Sequence, residues 1–165
     1  MKGRIKVKAN KSLSENAIVF LTEMYDRLVS HQEKVIGHPL LKTELHRMRI
    51  AGKPLRYAME IFEPTLGKKY KICLDELKHL IELMGIVHDC DVMKLSLQNY
   101  LQELRLYNYS CNNKFEKIST TDITQLIERQ SKQRATSFAE MCTVLRTWKR
   151  ENFRGRLVKS FIMDY

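Results

Sequence analysis

The sequence predicts an all-α fold, an antiparallel bundle of about five helices, and three observations carry that reading. Glycine and proline are scarce, six and three in 165 residues, too few for a strand-and-turn architecture. Apolar residues recur at helical spacing along most of the chain. No convincing two-residue alternation appears outside a doubtful N-terminal arm. A chain of this length suits one domain and buries roughly 70% of the surface it exposes when unfolded, so it needs no disulfide or metal to hold it together.

The opening "MKGRIKVKANK" crowds Lys2, Arg4, Lys6, Lys8 and Lys11 together. Residues 1–12 therefore read as a basic arm or tail, and residues 13–165 as a single helical domain. The first helix is expected to run from a cap at Ser14 to about Val35, with Ile18, Leu21, Met24 (or Tyr25) and Leu28 inward, and to close at Gly37-His38-Pro39. A second follows to about Phe62 and ends at Glu63-Pro64. Leu74, Leu77, Ile81 and Met84 mark a third, stopped at Gly85. Val92, Leu95, Leu97, Tyr100, Leu101 and Leu104 mark a fourth, from about Asp89 to Tyr107. The polar run "NYSCNNKFEKISTTD" reads as a loop, with Thr121 or Asp122 as the next N-cap. The last long helix extends to about Asn152, and "RGRLVKSFIMDY" holds a separate short one.

The net charge of +10 carries a self-repulsion cost that a polyanionic partner would relieve. Cys73, Cys90, Cys111 and Cys142 are widely spaced with no C-x-x-C pair, so they read as reduced apolar fillers. The longest apolar run near the start, "AIVFL", is far too short to span a bilayer, and no secretory segment follows Met1. The expectation is a cytoplasmic protein without membrane insertion.

The second helix carries the functional signal. In "LHRMRIAGKPLRYAMEIF", advancing 100° per residue puts Leu45, Met48, Ala51, Leu55, Ala58, Met59 and Phe62 on a core face. His46, Arg49, Lys53, Arg56, Tyr57 and Glu60 fall on another arc, which Lys42 extends upstream. A basic side chain thus recurs about once per 5.4 Å turn. Solvated helix faces usually interleave acids for i,i+4 pairs, whereas the sole acid here is Glu60, placed to orient Arg56. Such a row is repulsive unless an anion lies along it, and arginine's planar fork suits phosphate oxygens. Pro54 removes one helical hydrogen bond, and Gly52 weakens the same turn. One helix kinked near Gly52-Pro54 keeps the ridge on a single arc, which two separate helices would scatter.

The pattern His46-x-x-Arg49-x-x-x-Lys53-x-x-Arg56-Tyr57-x-x-Glu60 resembles the signature of the CHAD family, the conserved histidine α-helical domain. "ELMGIVHDCDVM" (Gly85, Asp89, Asp91 and Val92 within it) is similar to that family's second motif. The resemblance spans roughly residues 13–155, its specific part residues 40–95. It implies a helical domain that binds inorganic polyphosphate without catalysis. His46, Arg49, Lys53 and Arg56 would contact phosphate oxygens, and Tyr57 would donate a hydrogen bond or merely pack. Lys42, Lys132 and Arg134 stand as further contacts, and Glu60 and Asp89 as acids that orient arginines. Many members of the family carry two such bundles and this chain holds one motif, so a homodimer is expected to restore two facing ridges. Association with polyphosphate granules follows from the same reading.

Two rival chemistries start from the same residues. RNA binding suits the charge, although Tyr57 is the one aromatic on the ridge for a base to stack on. A metal-dependent phosphohydrolase would use His88-Asp89, with His46 or His79 before it and Asp122 after it. Glu76-x-x-His79 matches half of a di-iron ligand set whose second copy is missing. No cofactor or metal is expected.

Overall fold

The computed structural model describes residues 8–161 and is helical throughout, with no strand among the described residues. Six helices follow in order: α1 (Leu13–Val29), α2 (Gln32–Gly37), α3 (Lys42–Phe62), α4 (Lys68–Ser110), α5 (Thr121–Arg150) and α6 (Phe153–Lys159). Single 3-10 turns at Glu63–Thr65 and Lys114–Glu116 join them. The count stays near the five expected because two differences compensate.

First, α1 is capped two residues earlier than expected. Ser12 Oγ accepts from Glu15 N at 3.2 Å, and Ser12 N donates back to Glu15 Oε2 at 2.8 Å. This reciprocal box satisfies two orphan helix-end donors, which Ser14 would not. The first helix also breaks after Val29, and His31, beyond it, donates from Nδ1 to Glu44 Oε2, 2.9 Å away on α3. Second, Gly85 does not stop the third helix. The expected third and fourth helices are one rod of 43 residues. A single glycine costs a helix only about 1 kcal/mol, and packing along the rest of the rod outweighs that. The cap of α5 is Thr120, one residue before the expected ones, and its side chain makes no capping bond.

Residues 1–7 of the expected basic arm lie outside the described residues. Lys8 is tied to α1, where Asn16 accepts from Lys8 N at 2.8 Å and donates to Lys8 O at 2.9 Å.

Leu21, Leu28, Met48, Leu55, Met59, Leu74, Leu77 and Met84 are fully buried, so α1, α3 and α4 share one core. α5 and α6 close it with an aromatic stack. Trp148 lies 3.9 Å from Phe153 between ring centroids, and Phe153 lies 5.4 Å from Tyr25. The chain doubles back for this at Asn152, whose φ of 48° is left-handed and whose Oδ1 accepts from Gly155 N at 3.0 Å. Glu76 on α4 fastens the same corner. It accepts from both terminal Arg156 nitrogens at 2.7 Å and from Trp148 Nε1 at 3.1 Å. Burial pushes the Tyr25 hydroxyl up to about 12 and the Cys73 thiol up to about 11, so neither ionises at neutral pH.

As expected, α3 runs unbroken through Pro54 and is bent. Gly52 has a packing reason that the sequence reading did not give. A methyl group there would sit 3.3 Å from Ile81 Cγ1 and 3.4 Å from both Leu28 Cδ1 and Met84 Cε. Its missing side chain lets α3 seat closely on α1 and α4. Gly52→Ala should shift stability by under about 1 kcal/mol, because added helix propensity offsets the tight contact. Gly52→Val should cost about 1–3 kcal/mol by overpacking, as read from urea unfolding.

Glu44, a buried acid on α3, accepts from Arg47 as well as facing His31. The His31 hydrogen bond, aided by Arg47 and opposed by burial, holds its carboxyl below the ordinary carboxylate value. A group with a depressed folded pKa stabilises fully above its unfolded value, about 4.5, and loses that contribution as pH falls through the folded one. Glu44→Gln should therefore lower the melting temperature at neutral pH, and the gap to the parent should close as pH drops below about 4.5 in a thermal-melt series.

Candidate functional site: a basic groove between two helices

The core face expected for α3 is inward: Leu45, Met48, Leu55, Ala58 and Met59 are buried, and Ala51 and Phe62 are half-buried against them. This seating fixes the outer arc. His46 and Tyr57 are exposed, and Arg49, Lys53, Arg56 and Glu60 are half-buried along the lip of a groove whose other wall is α4. The groove has a volume of about 610 Å³. Arg49, Lys53, Arg56 and Tyr57 line it from α3, and Lys78, Glu82 and Asp89 from α4. Gly85 is part of its floor, and a side chain there would meet nothing within 4 Å, so the glycine leaves the floor open.

Electrostatics divide the ridge. At one end Arg56 Nε donates to Glu60 Oε1 at 2.9 Å, and that hydrogen bond raises the guanidinium pKa further. Lys78 approaches Glu60 at 3.7 Å and Glu63 at 3.8 Å, so one cluster of acids holds cations from both walls. At the other end Asp91 accepts from Arg134 Nε at 2.8 Å and pairs with Lys42 Nζ at 3.4 Å. Between these clusters, among the described residues, Arg49 and Lys53 have no acidic partner, and Arg49 Nε is buried without a hydrogen bond. A buried donor left unmade costs free energy, and Arg156 Nε, away from this groove, is left in the same way.

A smaller hollow of about 280 Å³ adjoins the groove at Arg49, which lines both. Its walls include Leu45, Val92 and Leu95, with His46 and His88 at its side. The two imidazoles stack with centroids 5.9 Å apart and planes 27° apart.

Arg49, Lys53, Arg56, Tyr57 and Asp89 line this groove and Lys42 and His46 the adjoining hollow, but three expected residues differ in partner or place. Asp89 pairs with His88 Nδ1 at 3.1 Å rather than with an arginine; the acid that orients an arginine on this wall is Asp91, two residues on. Arg134 is mostly buried and also donates to Pro39 O at 2.8 Å, so it ties α5 to the start of α3. Lys132 is exposed on α5, outside both linings. Sequence reasoning missed Lys78 as a groove cation. The signal was present, since Lys78, Glu82, Gly85 and Asp89 follow at i, i+4, i+7 and i+11 on one helical face.

The rival ligand sets are otherwise engaged. His79 pairs with Glu140 at 3.1 Å, and Glu76 is held by Arg156 and Trp148. Asp122 lies in the first turn of α5, outside both linings. Among the described residues no three His, Cys, Asp or Glu side chains gather where they could hold a metal ion. No helix of the described residues is long and apolar enough to cross a membrane.

Comparison with curated proteins and with solved structures returns no significant match. The family model of the CHAD domain, by contrast, matches residues 3–98, which include all of α3 and the α4 wall of the groove. The match ends short of the expected residue 155, leaving the far end of α4 and both later helices outside it. Both motifs lie inside the matched residues, in the order the sequence presents them, and the chain belongs to the CHAD domain family.

Proposed function

We propose that this chain binds inorganic polyphosphate, non-catalytically, along the groove between α3 and α4. One observation carries the reading. Arg49, Lys53 and Arg56 present cations at about one per turn, Lys78 faces them from α4, and the middle of the row has no acid of its own. An evenly spaced cationic track suits a repeating linear anion without sequence. Membership of the CHAD family supports the same ligand. Both walls come from one chain, so the facing cation that the sequence reading sought in a second copy is supplied here by Lys78. Location in the cytoplasm, at polyphosphate granules, belongs to this proposal.

The bound anion runs past Arg49, whose unpartnered Nε gains an acceptor, and past Lys53 and Arg56. Glu60 holds the Arg56 fork toward the groove. His46 donates a hydrogen bond from the near end. Tyr57, 56% exposed at the lip, offers a hydroxyl to phosphate or a ring to a base. That ring is the observation that favours RNA as a second ligand.

Titration with long-chain polyphosphate and with single-stranded RNA over a salt series separates the two. Polyphosphate should bind tighter at physiological salt, with a log–log salt slope of about −0.7 per phosphate contact. Arg49→Ala and Arg56→Ala should each flatten the slope by about 0.7 and leave helicity unchanged. Equal competition by RNA would remove the specific reading. Glu60→Gln gives a sharper check: it removes a negative charge, yet should weaken polyphosphate binding because Arg56 loses its orienting partner. Tighter binding by that variant would show Glu60 to be only a repulsive neighbour.

A further inference from the structure

The hollow that adjoins the groove differs from it in chemistry. Leu45 from α3 is buried in its wall, while Val92 and Leu95 from α4 present apolar surface, 53% and 56% exposed. Asp91 stands among them, mostly buried. Among the described residues its two cation partners, Arg134 and Lys42, both reach Oδ1, so Oδ2 stays available as an acceptor. A phosphate placed here would face apolar side chains, and the rim cations are engaged: Lys42 with Asp91, His88 with Asp89. Arg49, by contrast, lines both spaces. Whatever fills the hollow therefore lies one side chain from the phosphate track.

Size narrows the occupant. A volume of about 280 Å³ sits at the small end of ligand pockets, roughly 300–1,000 Å³. That admits one ring system with part of what it is attached to. The His46 and His88 ring centroids are 5.9 Å apart, too close for a third ring between them, which needs about 7 Å, twice a carbon contact distance. The pair thus walls the hollow and does not open as a clamp. An uncharged group suits the space, with a flat apolar face for Val92 and Leu95 and an O–H or N–H for Asp91.

We propose that the hollow takes the nucleoside of a nucleoside triphosphate whose phosphates lie on Arg49 and Lys53. This rests on reading the groove as a phosphate track and adds a second part to the site. The base covers Val92 and Leu95, removing apolar surface from water. Asp91 accepts from a ribose hydroxyl, as a carboxylate does in other nucleotide sites. Arg49, shared by the two spaces, meets the phosphate nearest the sugar. The rest of the chain has one direction open to it, along the groove, where Arg49 and Lys53 have no acid of their own.

Magnesium-free calorimetric titration of the full chain with ATP, tripolyphosphate and ribose 5-triphosphate tests it. Charge alone favours tripolyphosphate, the most negative of the three for the same number of phosphates. ATP should nevertheless bind about tenfold tighter than either, because only ATP carries the base. Val92→Thr with Leu95→Ser should bring ATP down to the tripolyphosphate affinity and leave tripolyphosphate binding and helicity unchanged. ATP no tighter than tripolyphosphate, or ribose 5-triphosphate as tight as ATP, would overturn the proposal. So would an ATP preference that survives the double variant, which would put the base elsewhere, such as on Tyr57. If none of the three binds while long-chain polyphosphate does, the nucleotide reading fails alone. If long-chain polyphosphate fails as well, the reading of the groove falls with it.

Discussion

The close seating of α3 on α4 is the constraint on which the other features depend. Gly52 gives up a side chain at the point where α1, α3 and α4 meet, and Met48, Leu55 and Met59 follow it inward. Rotation about the α3 axis is then fixed, because any turn would expose those side chains or force the glycine's neighbours apart. With rotation fixed, the polar arc has one available direction, toward the α4 wall. The basic ridge is therefore a by-product of core packing as much as of its own charges, which alone would splay apart.

Acids at the two ends of the groove make that ridge tolerable in the empty protein. Glu60 and Glu63 hold Arg56 and Lys78 at one end, and Asp91 holds Lys42 and Arg134 at the other. Each cluster lowers local repulsion and sets side-chain direction in advance. The centre, with Arg49 and Lys53, is left without such compensation. On the proposed reading an anion meets these two first, because the acids nearest them, Glu82 and Asp89, stand on the opposite wall.

The helical class, the inward face of α3 and the cation spacing were legible because they depend on period and residue type alone. The same holds for the expected link between Glu60 and Arg56, four residues apart on one helix. What was missed depends on partners distant in sequence. Lys78 is an ordinary surface lysine until α3 is placed opposite it. Asp91 was passed over for Asp89, although only Asp91 faces α5, as the inward position of Cys90 and Val87 on the same rod allows in hindsight. Gly85 was read as a stop because a glycine's local cost is visible in sequence and the packing that outweighs it is not. The Ser12-x-x-Glu15 box, by contrast, was readable and was passed over in favour of Ser14.

An unbroken α4 has a mechanical consequence. The wall of the groove and the part of α4 beyond Asp91 belong to one continuous helix, unbroken at Gly85. From Asp91 to Tyr109 the rod extends about 27 Å, so a tilt of about 5° about Asp91 carries the tip by roughly 2 Å. The groove wall and the distal part of α4 therefore cannot be displaced independently without bending the helix. The salt bridge of Asp91 with Arg134 ties this rod to α5 at the end of the groove.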